Sequence, residues 1–329
     1  MTPANNQAIM RNQLVLNLNV FTQYRKELMG IATIMIIVCH IVGNEVLLPQ
    51  CISKVLTLGN YGVDIFLFLS GLGLFYSLQN KPNSICSWYK KRYIRIFVPY
   101  FIATIPYCFI RICVGEFNIL DTILSLTTLD FWIYARGAWF VSAIIPIYFL
   151  TPRLSIFIDT RKNKLLWVIV IISTLLLLSN IDIINHPIYD NIQFVMRRTP
   201  MFILGYYLAT YIKQGKTISI YDTIFITICS IILYYLGVYS ALSVPILIAL
   251  GYFVNLLHNV GSLDKMLKFM GIISLESYLM NIYLPEIIRH INFGQLGQGN
   301  YLPYTLVVVI GIPLSFIINR ISSRIIKII

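Results

Sequence analysis

Nine to eleven stretches of this chain, ten by preference and two of them (138–152 and 199–212) short, are apolar enough to read as membrane spans, and few folds accommodate such a pattern. A helix needs about 20 apolar residues to traverse the hydrocarbon core. By that rule the runs near 28–47, 57–78, 94–114, 138–152, 165–181, 199–212, 218–236, 238–258, 269–289 and 302–320 read as spans, with a tight turn at Gly237 between the seventh and eighth. The fold class that follows is all-α, a polytopic integral membrane protein of about ten transmembrane helices. A tail over 1–22 precedes one transmembrane domain over 23–329. That tail has no basic-then-apolar cleavable leader, so the first span is expected to direct insertion.

Composition agrees. Hydrophobic residues make up 58% of the chain and charged residues only 12%, against about 25% charged in a soluble domain. A net charge of +12 would suggest a nucleic-acid partner in a soluble protein. Here the cations gather at the ends of apolar runs, where topology explains them and no nucleic acid is implied. With both termini cytoplasmic, only Lys54, Arg111, Arg136, Arg197, Arg198 and Arg289 of the 25 Lys and Arg fall on the outer side or outer span ends. The six cysteines are scattered without a CxxC pair, so neither a metal site nor a disulfide framework is expected. No internal repeat is evident, which weakens an inverted-repeat transporter reading. Gly294–Gly299 lacks the Lys-Ser/Thr ending of a phosphate loop and reads as an outer connection.

Three ionisable residues stand out in apolar surroundings: His40 in the first run, Asp64 in the second and Glu276 in the ninth. A titratable group inside hydrocarbon costs free energy and marks a candidate functional site. At about 1.5 Å per residue, His40 lies in the outer half of its span. Asp64, on the antiparallel neighbour, comes to similar depth. A carboxylate beside an imidazole fixes its tautomer and suits it to act as a general base; the competing reading is an interhelical polar contact that only sets packing. Glu276 is the third catalytic candidate, with a protonated structural carboxyl as the alternative. At the inner mouth of the third run, Trp88-Tyr89-Lys90-Lys91-Arg92-Tyr93-Ile94-Arg95 places Arg92 and Arg95 on one helix face. Two guanidinium groups there suit phosphate recognition, with Lys91 adding charge and Tyr89 available for stacking. Stop-transfer charge with an aromatic belt is the simpler explanation of the same run. Trp139 and Tyr148 read as packing residues. His186, His258 and His290 read as surface or loop histidines, His290 being a weak acceptor-site candidate.

Taken together, these segments resemble the acyltransferase 3 family of membrane O-acyltransferases. The matching stretches are Glu27–Ala32 leading to His40, Gly62–Phe66 leading to Ser70-Gly71, and Tyr89–Tyr100. Trp139-Phe140 with Tyr148 and Pro152, Arg198–Pro200 with Gly205, and Gly271–Asn281 follow in order. The resemblance covers about residues 24–320. It implies transfer of an acyl group, usually acetyl, from cytoplasmic acyl-CoA (acetyl-CoA) to a carbohydrate hydroxyl at or across a bacterial plasma membrane, with no metal. The essential histidine of such proteins maps onto His40, and their Arg-x-x-Arg pair maps onto Arg92 and Arg95. Relatives commonly carry an Arg eleven residues before the histidine. Here that position is Met29, and Arg25, one turn earlier on the same face, is the candidate substitute.

The leading expectation is therefore an O-acetyltransferase of a surface glycan such as a capsular, exopolysaccharide or O-antigen unit. The coenzyme A thioester, the glycan acceptor and the lipid bilayer are its partners; assembly is left open, a homodimer among the options. With no soluble domain after the last run, direct transfer by the membrane domain is expected, with acceptor contacts on outer loops such as 115–137 and 182–198. The rival is a proton-coupled transporter or flippase of a lipid-linked saccharide, in which His40, Asp64 and Glu276 would relay protons.

Overall fold

The computed structural model describes residues 15–43, 48–80, 84–181, 185–257, 260–290 and 302–329. The expectations for His258, for Gly294–Gly299 and for the side chain of His290 lie outside what is described.

The chain starts with strand β1 (Val15–Asn17) and helices α1 (Val20–Gln23) and α2 (Arg25–Gly43). Next, α3 (Gln50–Thr57) and a 3-10 turn (Leu58–Tyr61) run into α4 (Gly62–Gln79). The long α5 (Ile85–Cys113) is followed by two short helices, α6 (Ile119–Leu126) and α7 (Leu129–Tyr134). After these come α8 (Trp139–Asp159), α9 (Lys164–Leu178), α10 (Pro187–Lys213), β2 (Thr217–Ser219) and α11 (Ile220–Tyr235). A 3-10 turn (Tyr239–Leu242), α12 (Ser243–Leu257), α13 (Gly261–Ile272), α14 (Ser274–His290) and α15 (Leu302–Ile328) complete the chain.

β1 and β2 form an antiparallel ribbon with Val15 opposite Ser219. It ties the start of the chain to the connection between α10 and α11, and so defines one end of the bundle, the ribbon end. α2 leaves that end, which places Arg25 near the ribbon and His40 toward the far end.

Helices α2, α4, α5, α8, α9, α10, α11, α12, α14 and α15 fall on the ten apolar runs, but several extend well past them. α5 begins at Ile85 rather than near 94, capped by Ser84 accepting from the Ser87 amide at 3.1 Å. α10 begins at Pro187 rather than near 199. His186, expected as a surface histidine, is exposed but caps that helix, accepting from the Ile188 amide at 3.2 Å ahead of a proline at the first helical position. Helices outlast their apolar runs because caps, not hydropathy, decide where the hydrogen-bond ladder starts. Among the described residues, five helical stretches are long and apolar enough to cross a membrane: Gln50–Gln79, Ile85–Cys113, Trp139–Asp159, Tyr239–Leu257 and Tyr304–Ile328. Lys164–Leu178 and Ile220–Tyr235 are apolar but shorter. The helices that miss this standard include α2, α10 and α14, which carry His40, Arg198 and Glu276.

Small residues let two helix pairs approach at backbone distance. Gly71 of α4 abuts the Phe202 carbonyl of α10, and Gly205 of α10 abuts the Phe68 carbonyl of α4. Gly30 of α2 meets the Leu267 carbonyl of α13, and Gly271 of α13 meets that of Lys26. Any Cβ at these positions would collide with backbone, so dispersion contacts between bare helix surfaces hold the bundle, as expected where lipid removes a hydrophobic drive between helices. These two contacts clamp α2 and α4, the helices that carry His40 and Asp64.

Candidate active site

On α2, Met29 and Ile36 are seven residues apart and His40 follows Ile36 by four, so the three share a helix face. That face looks onto a cavity of about 190 Å³ lined also by Phe66 and Ser70 of α4, Arg92, Arg95 and Ile96 of α5, Phe140, Ile144 and Tyr148 of α8, and Ser274, Leu275 and Tyr278 of α14. The cavity begins at the two arginines and reaches Ile36 and Tyr278. From Ile36 to His40 is one further helical turn, about 6 Å at the α-helical rise.

The arginine end is rich in positive charge. The Arg92 guanidinium donates to Ser77 Oγ and lies 5.9 Å from the Trp88 ring, but its Nε is buried without a hydrogen-bond partner. Arg25 donates to the Leu69 carbonyl at 3.2 Å and packs against Gly73, and its Nε is likewise buried and unpartnered. Arg95 is exposed at the cavity mouth. Among the described residues, none of the three makes an ion pair. Glu27, the nearest acid in sequence, turns the other way, toward Lys268 of α13 at 3.4 Å. Burying guanidinium groups without a carboxylate is costly, and the cost is offset when an anionic ligand supplies the missing charge. Of the remaining residues expected here, Lys91 is exposed and makes no ion pair among the described residues. Tyr89 turns to α8, donating to the Phe149 carbonyl at 2.7 Å and stacking on Tyr93 and Phe149. Neither lines the cavity. Tyr148, expected to be a packing residue, does.

The expected His40–Asp64 pair is corrected by the geometry. Asp64 is fully buried, and its Oδ2 accepts from Arg198 of α10 at 2.7 Å and from Ser243 Oγ of α12 at 2.8 Å. Its Oδ1 has no hydrogen-bond partner. The reason is rotation about the helix: Gly62, the first residue after the 3-10 turn, presses α4 onto Ala32 and Ile36 of α2, and Asp64, two positions on, turns toward α10 and α12. Glu276 is also buried and accepts from Asn319 Nδ2 of α15 at 2.9 Å. His40, Asp64 and Glu276 therefore do not form one cluster; each has its own partner.

The residue beside His40 is Asn281, whose side-chain amide meets His40 Nδ1 at 2.5 Å. On its other side the amide lies 3.1 Å from the hydroxyl of Tyr304, which donates to the Ile37 carbonyl. A hydroxyl has one proton. With that proton committed to Ile37, Tyr304 can only accept, and it is then the Asn281 NH2 that must face it. The structure sets Asn281 Nδ2 toward His40 and Oδ1 toward Tyr304; exchanging the two turns the amide carbonyl to the imidazole, where it accepts Nδ1–H and leaves the lone pair on Nε2. Amide oxygen and nitrogen are nearly isosteric, so this accounting, rather than shape, assigns them. Asn281 and Tyr304 were not singled out as His40 partners because 241 and 267 residues separate them from positions 40 and 37 in sequence.

The acyltransferase domain family model matches residues 28–320. The chain belongs to the acyltransferase 3 family, and the match indicates a multi-pass membrane acyltransferase. No curated protein and no solved structure matches it significantly.

Proposed function

We propose that this protein moves an acetyl group from cytoplasmic acetyl-CoA to a hydroxyl of a bacterial cell-surface glycan, with the ribbon end cytoplasmic and ten helices crossing the plasma membrane. The observation that carries the reading is the cavity that opens at the guanidinium groups of Arg92 and Arg95, which lack carboxylate partners among the described residues, and ends one turn from a histidine. In this reading Arg25, Arg92 and Arg95 hold the phosphates of coenzyme A, and the acyl-bearing arm enters between Phe66, Ile144 and Tyr148. His40 Nε2 accepts the proton of the acceptor hydroxyl as its oxygen attacks the thioester carbonyl. The C–S bond then breaks, and the proton passes from the imidazolium to the departing thiolate. Asn281 holds the Nδ1–H tautomer that this role requires. A general base of this kind contributes about 10²–10⁴-fold to rate.

The test is His40→Ala in the host strain, with acetyl content of the surface polysaccharide read by NMR. Acetyl signals should vanish while protein level and membrane insertion match wild type. Retained acetylation with that variant would remove His40 from the mechanism. Continued export of unmodified polysaccharide argues against the transporter reading, in which export itself would fail.

A further inference from the structure

A second, larger cavity, of about 770 Å³, opens at the far end of the bundle, away from the arginine mouth. Its volume falls within the range of about 300–1,000 Å³ usual for small-ligand sites. Three walls form it. Lys54, Thr57, Asn60 and Tyr61 come from α3 and the turn after it; Asn180, Phe194, Arg197 and Arg198 from the α9–α10 corner; and Tyr234, Tyr239 and Ser240 from the end of α11 and the turn after it.

Its chemistry differs from that of a lipid-facing aromatic belt, because charge, amides and rings converge on one concavity. Three cations line it. Arg198 is paired with Asp64 below the floor, but Lys54 makes no ion pair among the described residues. Arg197 gives Nε and one terminal nitrogen to the Ser179 carbonyl at 3.0 and 2.7 Å, and so keeps donors over. No acid among the described residues lines the cavity, so its net charge is positive. The aromatic wall is held in place: Tyr61 donates to the Tyr239 carbonyl at 3.0 Å, and the Tyr234 and Tyr239 rings meet edge-to-face at 5.2 Å. Tyr239 is 62% exposed, which leaves its ring available to a ligand.

We infer that this cleft binds an acidic saccharide, one bearing carboxylate or phosphate groups, with tyrosine rings against the sugar faces and Lys54 and Arg197 on the anions. The inference rests on the glycan-acceptor reading above and narrows the acceptor to an anionic class. Part of the cleft, Phe194 to Arg198, lies in the 182–198 stretch expected to carry acceptor contacts.

The test uses the purified full chain in detergent, titrated calorimetrically with a galacturonic acid trimer, with maltotriose, with glycerol phosphate and with coenzyme A. The acidic trimer should bind about ten-fold more tightly than the neutral one, which corresponds to about 1.4 kcal/mol, and added salt should erase the difference. Lys54→Gln should weaken trimer binding several-fold, and Tyr239→Ala should weaken both saccharides. Both side chains are exposed, so neither change threatens the fold. Equal affinity for the two trimers, or wild-type affinity in both variants, overturns the inference. Glycerol phosphate binding as tightly as the acidic trimer would make this a lipid-headgroup site, and displacement of the trimer by coenzyme A would make it a donor site; either result also overturns it. A protein that binds the acidic trimer but transfers no acetyl keeps the cleft and loses the enzymatic reading. One that acetylates glycans without discriminating the trimers does the reverse.

Discussion

Two buried charge clusters in this bundle are built on opposite principles. At Asp64 one carboxylate oxygen is met by Arg198 and Ser243 while the other has no hydrogen-bond partner, so that an opposite charge joins α4, α10 and α12 around a group that water never reaches. Arg25 and Arg92 are half-buried, each with a buried Nε that no partner takes, and no carboxylate answers them among the described residues. A closed pair is what a structure needs to hold three helices in register. An open cluster is destabilising unless something arrives to complete it, which makes it a binding site in waiting. Sequence position alone does not separate the two, since both consist of charged residues in or beside apolar runs.

The largest effect should come from breaking the closed pair. Arg198→Ala would leave the Asp64 carboxyl buried without its main partner, and losing one member of a buried ion pair costs about 3–5 kcal/mol. The expected outcome is a marked drop in melting temperature of the detergent-purified protein and reduced abundance in membranes. Melting unchanged from wild type would mean that the pair contributes nothing to register.

Asn281 is uncharged but meets His40, the histidine proposed as the base. Asn281→Leu removes the acceptor for Nδ1–H and should lower turnover about 10–100-fold, within what a correctly poised base supplies. Asn281→Asp keeps an acceptor in place and should retain most of the rate. If the aspartate variant loses as much as the leucine variant, the amide does not set the tautomer.

The open cluster should respond in the contrary way to the closed one. Arg92→Gln removes a charge-assisted contact worth about 1.5–3 kcal/mol to a phosphate, so the KM for acetyl-CoA should rise about ten-fold or more. Because no ion pair is broken, thermal stability should stay within about 1 kcal/mol of wild type. A loss of stability comparable to that of Arg198→Ala, with KM unmoved, would show that Arg92 is structural.

Much of the fold could be read from residue order, because apolar run length reports directly on the helices: all ten runs carry a helix, from Arg25–Gly43 to Leu302–Ile328. Helix ends were harder, as caps such as His186 with Pro187 lie in polar stretches that hydropathy ignores. In the site, His40, Arg92 and Arg95 stood out because charge in an apolar context is a local signal. Their partners did not. Which way Asp64 faces depends on the rotation of α4 against α2, set by a glycine contact, and a one-residue turn of that helix would aim it elsewhere. Asn281 and Tyr304 are ordinary residues in helices α14 and α15; only the folded packing brings them to His40.

The finest discrimination concerns Arg25. Met29 lines the cavity where relatives commonly place an arginine, while Arg25, one turn nearer the ribbon, reaches the Leu69 carbonyl and packs against Gly73 with a nitrogen to spare. If Arg25 completes the phosphate cluster, Arg25→Gln should raise the KM for acetyl-CoA by about three- to ten-fold, less than Arg92→Gln because its backbone contact already occupies part of the group. Adding Met29→Arg to that variant returns a guanidinium to the same helix face and should recover part of the loss. Kinetics that leave KM untouched in the single variant, or a double variant no better than the single, would assign Arg25 to anchoring α4 and leave Arg92 and Arg95 to hold the donor alone.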